Sequence, residues 1–556
     1  MSTPPGAPNA PNAAAPAPSG ASGDAAGKAV ARNAGKVGAA TLLSRVLGLA
    51  RDQVMAAMFG AGFASDAFNT AFRMPNLLRD LFAEGAMSAS FIPTFTEYEQ
   101  KRGAEEAWAL GRQLMMTLLV TLTALCVLGA LFAPQLMHLL AAGFAEQPGK
   151  LELTETLFRI MLPFLPLVAV AAAAMGMLNA RGVFGVPALA PALLNVGMIV
   201  FGLALVPVCS RFGVPPVVAM AVGVVLGAAL QLAVQLPSLK RQGFEFRFEW
   251  PTWHPGVRRV ALLMIPATIG LAATNVNIFV SNNLASHMEQ GAVTWLYCAF
   301  RLMQLPIGVF GIALATVAMP ALSRAAVNAD MPELKRTLSA AVRLVLLLTI
   351  PAAVYLAVMA RPVIALLFQH GRFSAVATDQ TAAALVMYCV GLPCFAAVGI
   401  FTRTFYALGD TKTPMRSSLT SVAINVVLNL ALVGPLAGLG LGHRGLALAA
   451  SCSALANVSQ LAFLLRGRIG GFEGRRIAAT LLRVAVASVI VGAALAGILA
   501  LAGSGVTHGH VALLGTVLVS AAVALALFWG SLRLARVEEL ALFEDAAGSV
   551  VRRFRR

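Results

Sequence analysis

Runs of roughly 20 apolar residues recur from about residue 37 to residue 535, the length needed to cross the hydrocarbon core of a bilayer. Lipid offers no water to the backbone, so each such run must satisfy its own amides as a helix. The composition points the same way. The chain is 58% hydrophobic and only 12% charged, about half the charge of an ordinary soluble domain. Fourteen spans are read near 37–60, 65–96, 107–133, 154–180, 186–208, 214–237, 258–285, 291–322, 336–360, 378–407, 414–436, 444–465, 477–502 and 509–532. The expected fold is an all-α polytopic membrane protein.

A net charge of +17 would suit a nucleic-acid partner, but the basic residues are placed otherwise. With the N-terminus inside, 30 of the 41 Lys and Arg fall on inner segments and flanks and 6 on outer ones. That asymmetry sets the orientation, with both termini cytoplasmic, and it suits an anionic inner leaflet. No nucleic-acid partner is expected. Residues 1–27 are rich in Pro, Ala and Gly and are read as a disordered cytoplasmic tail. They lack the basic and apolar regions of a cleaved signal. Residues 536–556 form a basic cytoplasmic tail. The six cysteines make no C-x-x-C pair and read as apolar packing residues.

The chain repeats itself. Pro166, Ala180, Gly182 and Pro187 recur as Pro393, Ala407, Gly409 and Pro414, at an offset of 227. Ala71-Phe72-Arg73 recurs as Ala299-Phe300-Arg301, at an offset of 228. Asn195 and Asn425 follow their repeats at nearly the same place. The repeat unit is six spans, an even number, so the two lobes are parallel and related by an axis along the membrane normal. The lobes are read as 28–240 and 241–470, with two additional spans in 471–535. Transporters commonly place substrate between such repeats and rock one against the other.

The remaining five basic residues, Arg45, Arg51, Arg73, Arg79 and Arg301, lie inside spans. Each costs roughly 2.5–3.5 kcal/mol at bilayer depth, so it must face the protein interior or a wet cavity. On a helix, Arg45 and Asp52 share a face with Gly48 between them, and Arg51 points about 100° away. Asn69, Arg73, Asn76, Asp80 and Glu84 form a polar stripe on the second span, with Arg79 off it and Asp66 at the outer mouth. Structural ion pairs, Arg45 with Asp52 and Arg73 with Asp80, are one reading. They leave surplus cations, and guanidiniums hold phosphate oxygens bidentately, so an anionic passenger is the other. The second lobe offers amides instead of acids: Asn275, Asn277, Asn282, Asn283, Asn425 and Asn429. Interhelical hydrogen bonding accounts for the last two.

No P-loop, G-x-S-x-G or metal-ligand spacing occurs, and the seven histidines fall in loops or at span ends. A transporter is expected, with no catalytic site, no cofactor, no bound metal and no ATP hydrolysis. Membrane potential or a monovalent cation remains as the energy source.

The stretch Ser44-Arg45-Val46-Leu47-Gly48-Leu49-Ala50-Arg51-Asp52 continues through Phe59-Gly60-Ala61-Gly62 and Ser65-Asp66-Ala67-Phe68. Met74-Pro75-Asn76-Leu77-Leu78-Arg79-Asp80-Leu81-Phe82-Ala83-Glu84-Gly85-Ala86 follows. This run resembles the MurJ/MviN family of lipid II flippases, within the multidrug/oligosaccharidyl-lipid/polysaccharide exporter superfamily. The likeness extends through Phe300-Arg301-Leu302-Met303-Gln304-Leu305-Pro306 and Gly409-Asp410-Thr411-Lys412-Thr413-Pro414.

The resemblance implies two six-helix lobes in a V around a central cavity, with two C-terminal helices lining a groove for a lipid tail. It implies lipid II, undecaprenyl-pyrophosphate carrying a disaccharide-pentapeptide, as the passenger from inner to outer leaflet of the bacterial cytoplasmic membrane. It also implies cationic cavity residues at Arg45, Arg51, Arg79 and Arg301, with acidic partners at Asp52, Asp66 and Glu84. Arg73, Asn76 and Asp80 are further cavity candidates. Some relatives are thought to bind sodium through second-lobe acids, where this chain has amides. Cell-wall synthesis proteins are candidate partners. The alternatives are a flippase for another polyprenyl-linked glycan, a small-molecule exporter of the same superfamily, a membrane-bound transferase, or a scaffold.

Overall fold

The computed structural model describes residues 21–79, 86–247, 249–252, 254–435, 437–502 and 509–535. These residues form helices joined by short turns. In chain order they are α1 (Ala21–Phe59), α2 (Phe63–Arg79), α3 (Ala86–Arg102), α4 (Ala104–Leu131), α5 (Ala133–Leu140), α6 (Lys150–Met161) and α7 (Phe164–Ala180). Next come α8 (Gly185–Arg211), α9 (Val217–Ala233), α10 (Leu236–Arg241), α11 (Pro255–Ser286), α12 (Ala292–Pro306) and α13 (Ala313–Val327). The last are α14 (Met331–Val358), α15 (Ala360–Phe368), α16 (Ala375–Ala407), α17 (Lys412–Val433), α18 (His443–Ile469), α19 (Gly474–Ala502) and α20 (His510–Leu534).

Among the described residues, 11 helical stretches are long and apolar enough to cross a bilayer. The chain is a multi-pass, all-helical membrane protein. The other three stretches read as spans correspond to α1, to α2 with α3, and to α11. In α1 and α2 the charged residues of the site lower the apolarity. Helix α1 starts at Ala21, inside the stretch read as a disordered tail. Asp80, Glu84 and the C-terminal tail lie outside the described residues.

Helices α8 and α9 pack through glycine. A Cβ on Gly197 would sit 2.5 Å from the Gly227 Cα, so neither position has room for a side chain. In lipid, where apolar surface drives no association between helices, such close approach is what holds a pair together. Helix α1 then lies along α8. At the other end of the chain, α19 packs on α14, and the Tyr355 hydroxyl donates to the Val517 carbonyl of α20 at 3.0 Å.

The backbone repeats at the offset found in the sequence. Gly182 and Gly409 both take left-handed conformations, with φ of 76° and 73°. The turn around each is closed in the same way. Val183 N donates to Leu178 O at 2.8 Å, and Asp410 N to Phe405 O at 2.9 Å. A β-carbon is disfavoured there, which explains why glycine ends both helices. The break between α4 and α5 at Phe132 (φ −94°, ψ 16°) recurs between α14 and α15 at Met359 (φ −91°, ψ 17°).

Asp410, in the α16–α17 turn, accepts from Thr413 N at 2.9 Å, from the Thr413 hydroxyl at 2.7 Å and from Lys412 N at 3.0 Å, and it pairs with Arg468. The Thr413 bonds, helped by Arg468, hold its carboxyl below the usual Asp range. A depressed folded-state value means that its contribution is complete above the ordinary Asp pKa, near 4, and is lost as pH falls toward the lower folded value. Thermal unfolding of the purified protein between pH 6 and pH 3 should therefore show a small acid-side decline. Asp410→Asn should make the decline shallower, Glu97 and Glu249 keeping the rest because their carboxyls are also held below the usual range, and an unchanged slope would reject the assignment.

Candidate substrate-binding site

Three arginines meet between α1 and α12. Asp52, 7% exposed, is the common partner of two of them, Arg51 and Arg301. Arg51 donates to its Oδ1 through Nε at 3.0 Å and Nη2 at 2.7 Å. Arg301 donates to its Oδ2 through Nε at 3.0 Å. One carboxylate thus ties two helices from opposite halves of the repeat. The spacing of Arg45 and Asp52 suggested a pair, and the structure corrects this. Arg51 is long enough to fold back onto its neighbour, and Arg301 reaches Asp52 across Gly48, where a Cβ would lie 3.3 Å from its Nη2.

Further polar groups complete the cluster. Arg51 Nη1 donates to Asn195 Oδ1 on α8 at 3.2 Å, and Nη2 to the Tyr297 hydroxyl at 3.4 Å. Tyr297 in turn donates to Asp52 at 3.4 Å. Arg45 is exposed, two turns earlier on α1. Its guanidinium lies against Gly308, where any side chain would overlap it. Gly308 falls in a π-helical turn, residues 307–312, that follows Pro306. Such turns widen a helix locally and are common at functional sites. Arg45, Arg51 and Arg301 with Asp52 leave two positive charges in excess, enough to attract a multiply charged anion.

The other candidates divide into two groups. Arg73, from α2, lines a cavity of about 330 Å³ enclosed with α11, α12, α16, α17 and α18. Asn76 and Arg79 are half-buried further along α2. Asp66 belongs elsewhere. It is 1% exposed and lies where the turns read as outer converge. Its Oδ2 accepts from Lys150 Nζ at 3.0 Å and from Gly291 N at 2.8 Å. Its Oδ1 accepts from Thr294 N at 3.0 Å and the Thr294 hydroxyl at 2.7 Å. A fully bonded carboxylate has no capacity for substrate. Asp66 is therefore part of a closure between the halves, not a cavity partner.

Other contacts reinforce that closure. Arg372 N donates to Ala57 O at 2.8 Å. Gly143 N donates to the Ser286 hydroxyl at 3.1 Å, and a Cβ on Gly143 would sit 2.5 Å from the Ser286 carbonyl. Second-lobe amides act between helices: Asn429 donates to Asn425 Oδ1 at 2.7 Å and to Ser281 Oγ on α11 at 3.0 Å. Cys126, Cys298 and Cys389 are buried, and all six cysteines are free.

Lys150, Tyr297 and Gly308 were missed in the sequence. Tyr297 was within reach, one turn from Arg301 on the same helix face. Lys150 gave a weaker signal, being one of few basic residues on the outer side, and only the fold brings it to Asp66.

The family model for "Lipid II flippase MurJ" matches residues 55–516. A probable lipid II flippase MurJ of Vibrio cholerae is 37% identical over 438 residues, 78% of this chain and 81% of that protein. A lipid II flippase MurJ of Burkholderia cenocepacia is 37% identical over 432 residues, 77% of this chain and 82% of that protein. A solved lipid II flippase MurJ in an inward closed conformation superposes with a TM-score of 0.72 at 25% identity, covering 89% of this chain and 98% of that one. An inward-facing multidrug resistance MATE transporter of the MOP superfamily shares the fold, with a TM-score of 0.64 at 16% identity over 77% of this chain and 94% of that one. With a match across most of its length and an arginine site set between its repeats, the chain belongs to the MurJ lipid II flippase family, whose members are transporters and not enzymes.

Proposed function

We propose that this chain moves lipid II from the inner to the outer leaflet of the bacterial cytoplasmic membrane by alternating access. Arg45, Arg51 and Arg301, with Arg79 nearby, take the pyrophosphate. The observation that carries this reading is the single carboxylate of Asp52 shared by Arg51 and Arg301 across α1 and α12. A pyrophosphate offers more charge and more oxygens than Asp52, so it competes for both guanidiniums. Its arrival loosens one link between the lobes and draws the arginines onto the ligand.

The chain spans the membrane fourteen times, both termini cytoplasmic. It has lobes of 28–240 and 241–470 in a V, and a pair of C-terminal helices in 471–535 beside which the polyprenyl tail lies. The Asp66 closure seals the outer end, so the arginines are loaded from the inner side. An inside-negative potential returns the emptied, net-positive site inward, at about 2.3 kcal/mol per charge crossing 100 mV.

The test is rescue of cells depleted of their own lipid II flippase, at matched membrane levels. The parent chain should rescue. Arg45→Ala, Arg51→Ala and Arg301→Ala should fail, because each removes a charge-assisted contact to the passenger. Rescue by all three variants would sink the arginine mechanism. Failure by a well-inserted parent would favour a different polyprenyl-linked glycan, which presents the same pyrophosphate.

A further inference from the structure

The 330 Å³ cavity holding Arg73 is next to the arginine–Asp52 cluster but chemically unlike it. Its described lining contains one cation and no carboxylate. Arg73 Nε and Asn277 Oδ1 are both shielded from solvent and have no hydrogen-bond partner among the described residues. An unmet donor and an unmet acceptor, buried in the wall of one cavity, are costly; both are covered by protein, so a ligand reaches them when the Arg73 and Asn277 side chains turn toward it. Ser281 and Ser453 add hydroxyls to the lining. Phe300 and Tyr388, ring centroids 5.5 Å apart, form an apolar wall.

The repeat sharpens the argument. Arg73 is the counterpart of Arg301, at an offset of 228. Arg301 has a carboxylate supplied by the protein, Asp52 at 3.0 Å, whereas among the described residues Arg73 has none. Tyr297 lines this cavity and also bonds within the Arg51–Asp52 cluster, so one extended ligand can occupy both.

We propose that this cavity is a second subsite, in which Arg73 holds a carboxylate of the passenger's peptide stem and Asn277 accepts from one of its amides. The proposal rests on the flippase reading, since the pyrophosphate must occupy the first cluster for the stem to reach the second. A peptide supplies both groups the cavity lacks, an anion for the guanidinium and N–H donors for the Asn277 oxygen. The disaccharide supplies no charge once its lactyl carboxyl is consumed in the amide to the stem, and apart from that link and its acetamido groups it has no amide.

The experiment measures binding of three probes to the purified full-length protein: lipid II, the same lipid-linked disaccharide with its lactyl carboxyl capped as a methylamide in place of the peptide, and undecaprenyl pyrophosphate. The wild type should prefer lipid II over the stemless compound by about tenfold, the scale of a charge-assisted hydrogen bond. Arg73→Gln should cut that preference below about threefold and leave undecaprenyl pyrophosphate binding unchanged, which also reports an intact fold. Arg73→Lys should recover part of the preference. An equal preference in Arg73→Gln and wild type, or none in the wild type, would overturn the subsite. Loss of all three probes in Arg73→Gln would assign Arg73 to the pyrophosphate or to the fold, and would also overturn it. A wild type that binds none of the probes would overturn the flippase reading itself.

Discussion

Asp66→Ala should abolish rescue of flippase-depleted cells and open the outer end of the protein. Asp66 and Lys150 are each about 1% exposed, and the carboxylate accepts four hydrogen bonds from three residues. Removing one partner of such a pair strands a buried ammonium, at a cost of roughly 3–5 kcal/mol. That is about two to three and a half orders of magnitude in the balance between closed and open forms. Lys150 keeps Gln147 Oε1 at 3.2 Å and the Phe144 and Phe63 rings at 4.2 and 5.9 Å, too little to compensate a full charge. Cys298 can report the change. It is buried and lines the pocket containing Arg51 and Asp52. In a variant with Cys298 as the sole cysteine, a membrane-impermeant thiol reagent added outside should label Asp66→Ala and spare the parent. The double variant Asp66→Asn with Lys150→Met should label less than Asp66→Ala, because the charges leave together and the amide oxygen, placed where Oδ1 was, still accepts from Thr294 N and its hydroxyl. Equal labelling of Asp66→Ala and the parent would remove Asp66 from the closure.

Gly143→Val tests the same closure by shape. A Cβ there would lie 2.5 Å from His287 N and from both atoms of the Ser286 carbonyl, all backbone and unable to rotate away. Overpacking in a well-filled interior costs about 1–3 kcal/mol even when side chains can adjust. Here the α11 end must move bodily, so the variant should lose rescue and expose Cys298 while most of its thermal stability remains. Gly185→Val has no atom within 4 Å of the new Cβ and serves as the control. A Gly143→Val protein that rescues fully would show that this contact is dispensable for closure.

Much of this architecture was legible because lipid imposes simple rules. Apolar run length gave most of the helices, and identical spacing of Pro166, Ala180, Gly182 and Pro187 with Pro393, Ala407, Gly409 and Pro414 anticipated the recurring backbone turns. The arginines of the site were visible because charge is rare in such segments. Their partners were harder to read. Helical periodicity fixes where a Cβ points, but an arginine carries its charge several bonds further. Arg51 therefore reaches Asp52 from an unfavourable angle, and Arg301 crosses to it from another helix. Asp66 was visible as an acid at a span mouth. Its role depended on Lys150, Gly291 and Thr294, far away in sequence, and so waited for the fold.

The outer closure has a consequence for the cell's energy supply. Where it is joined by Arg372 N to Ala57 O, by Gly143 against Ser286 and by a saturated Asp66, these polar groups are already bonded to one another and offer little to a file of water. A passage wide enough for a sugar-peptide head would otherwise short-circuit the proton gradient each time it stood open. Joining the halves through buried polar groups that are already bonded would let a transporter carry a bulky polar cargo while the membrane stays an electrical insulator.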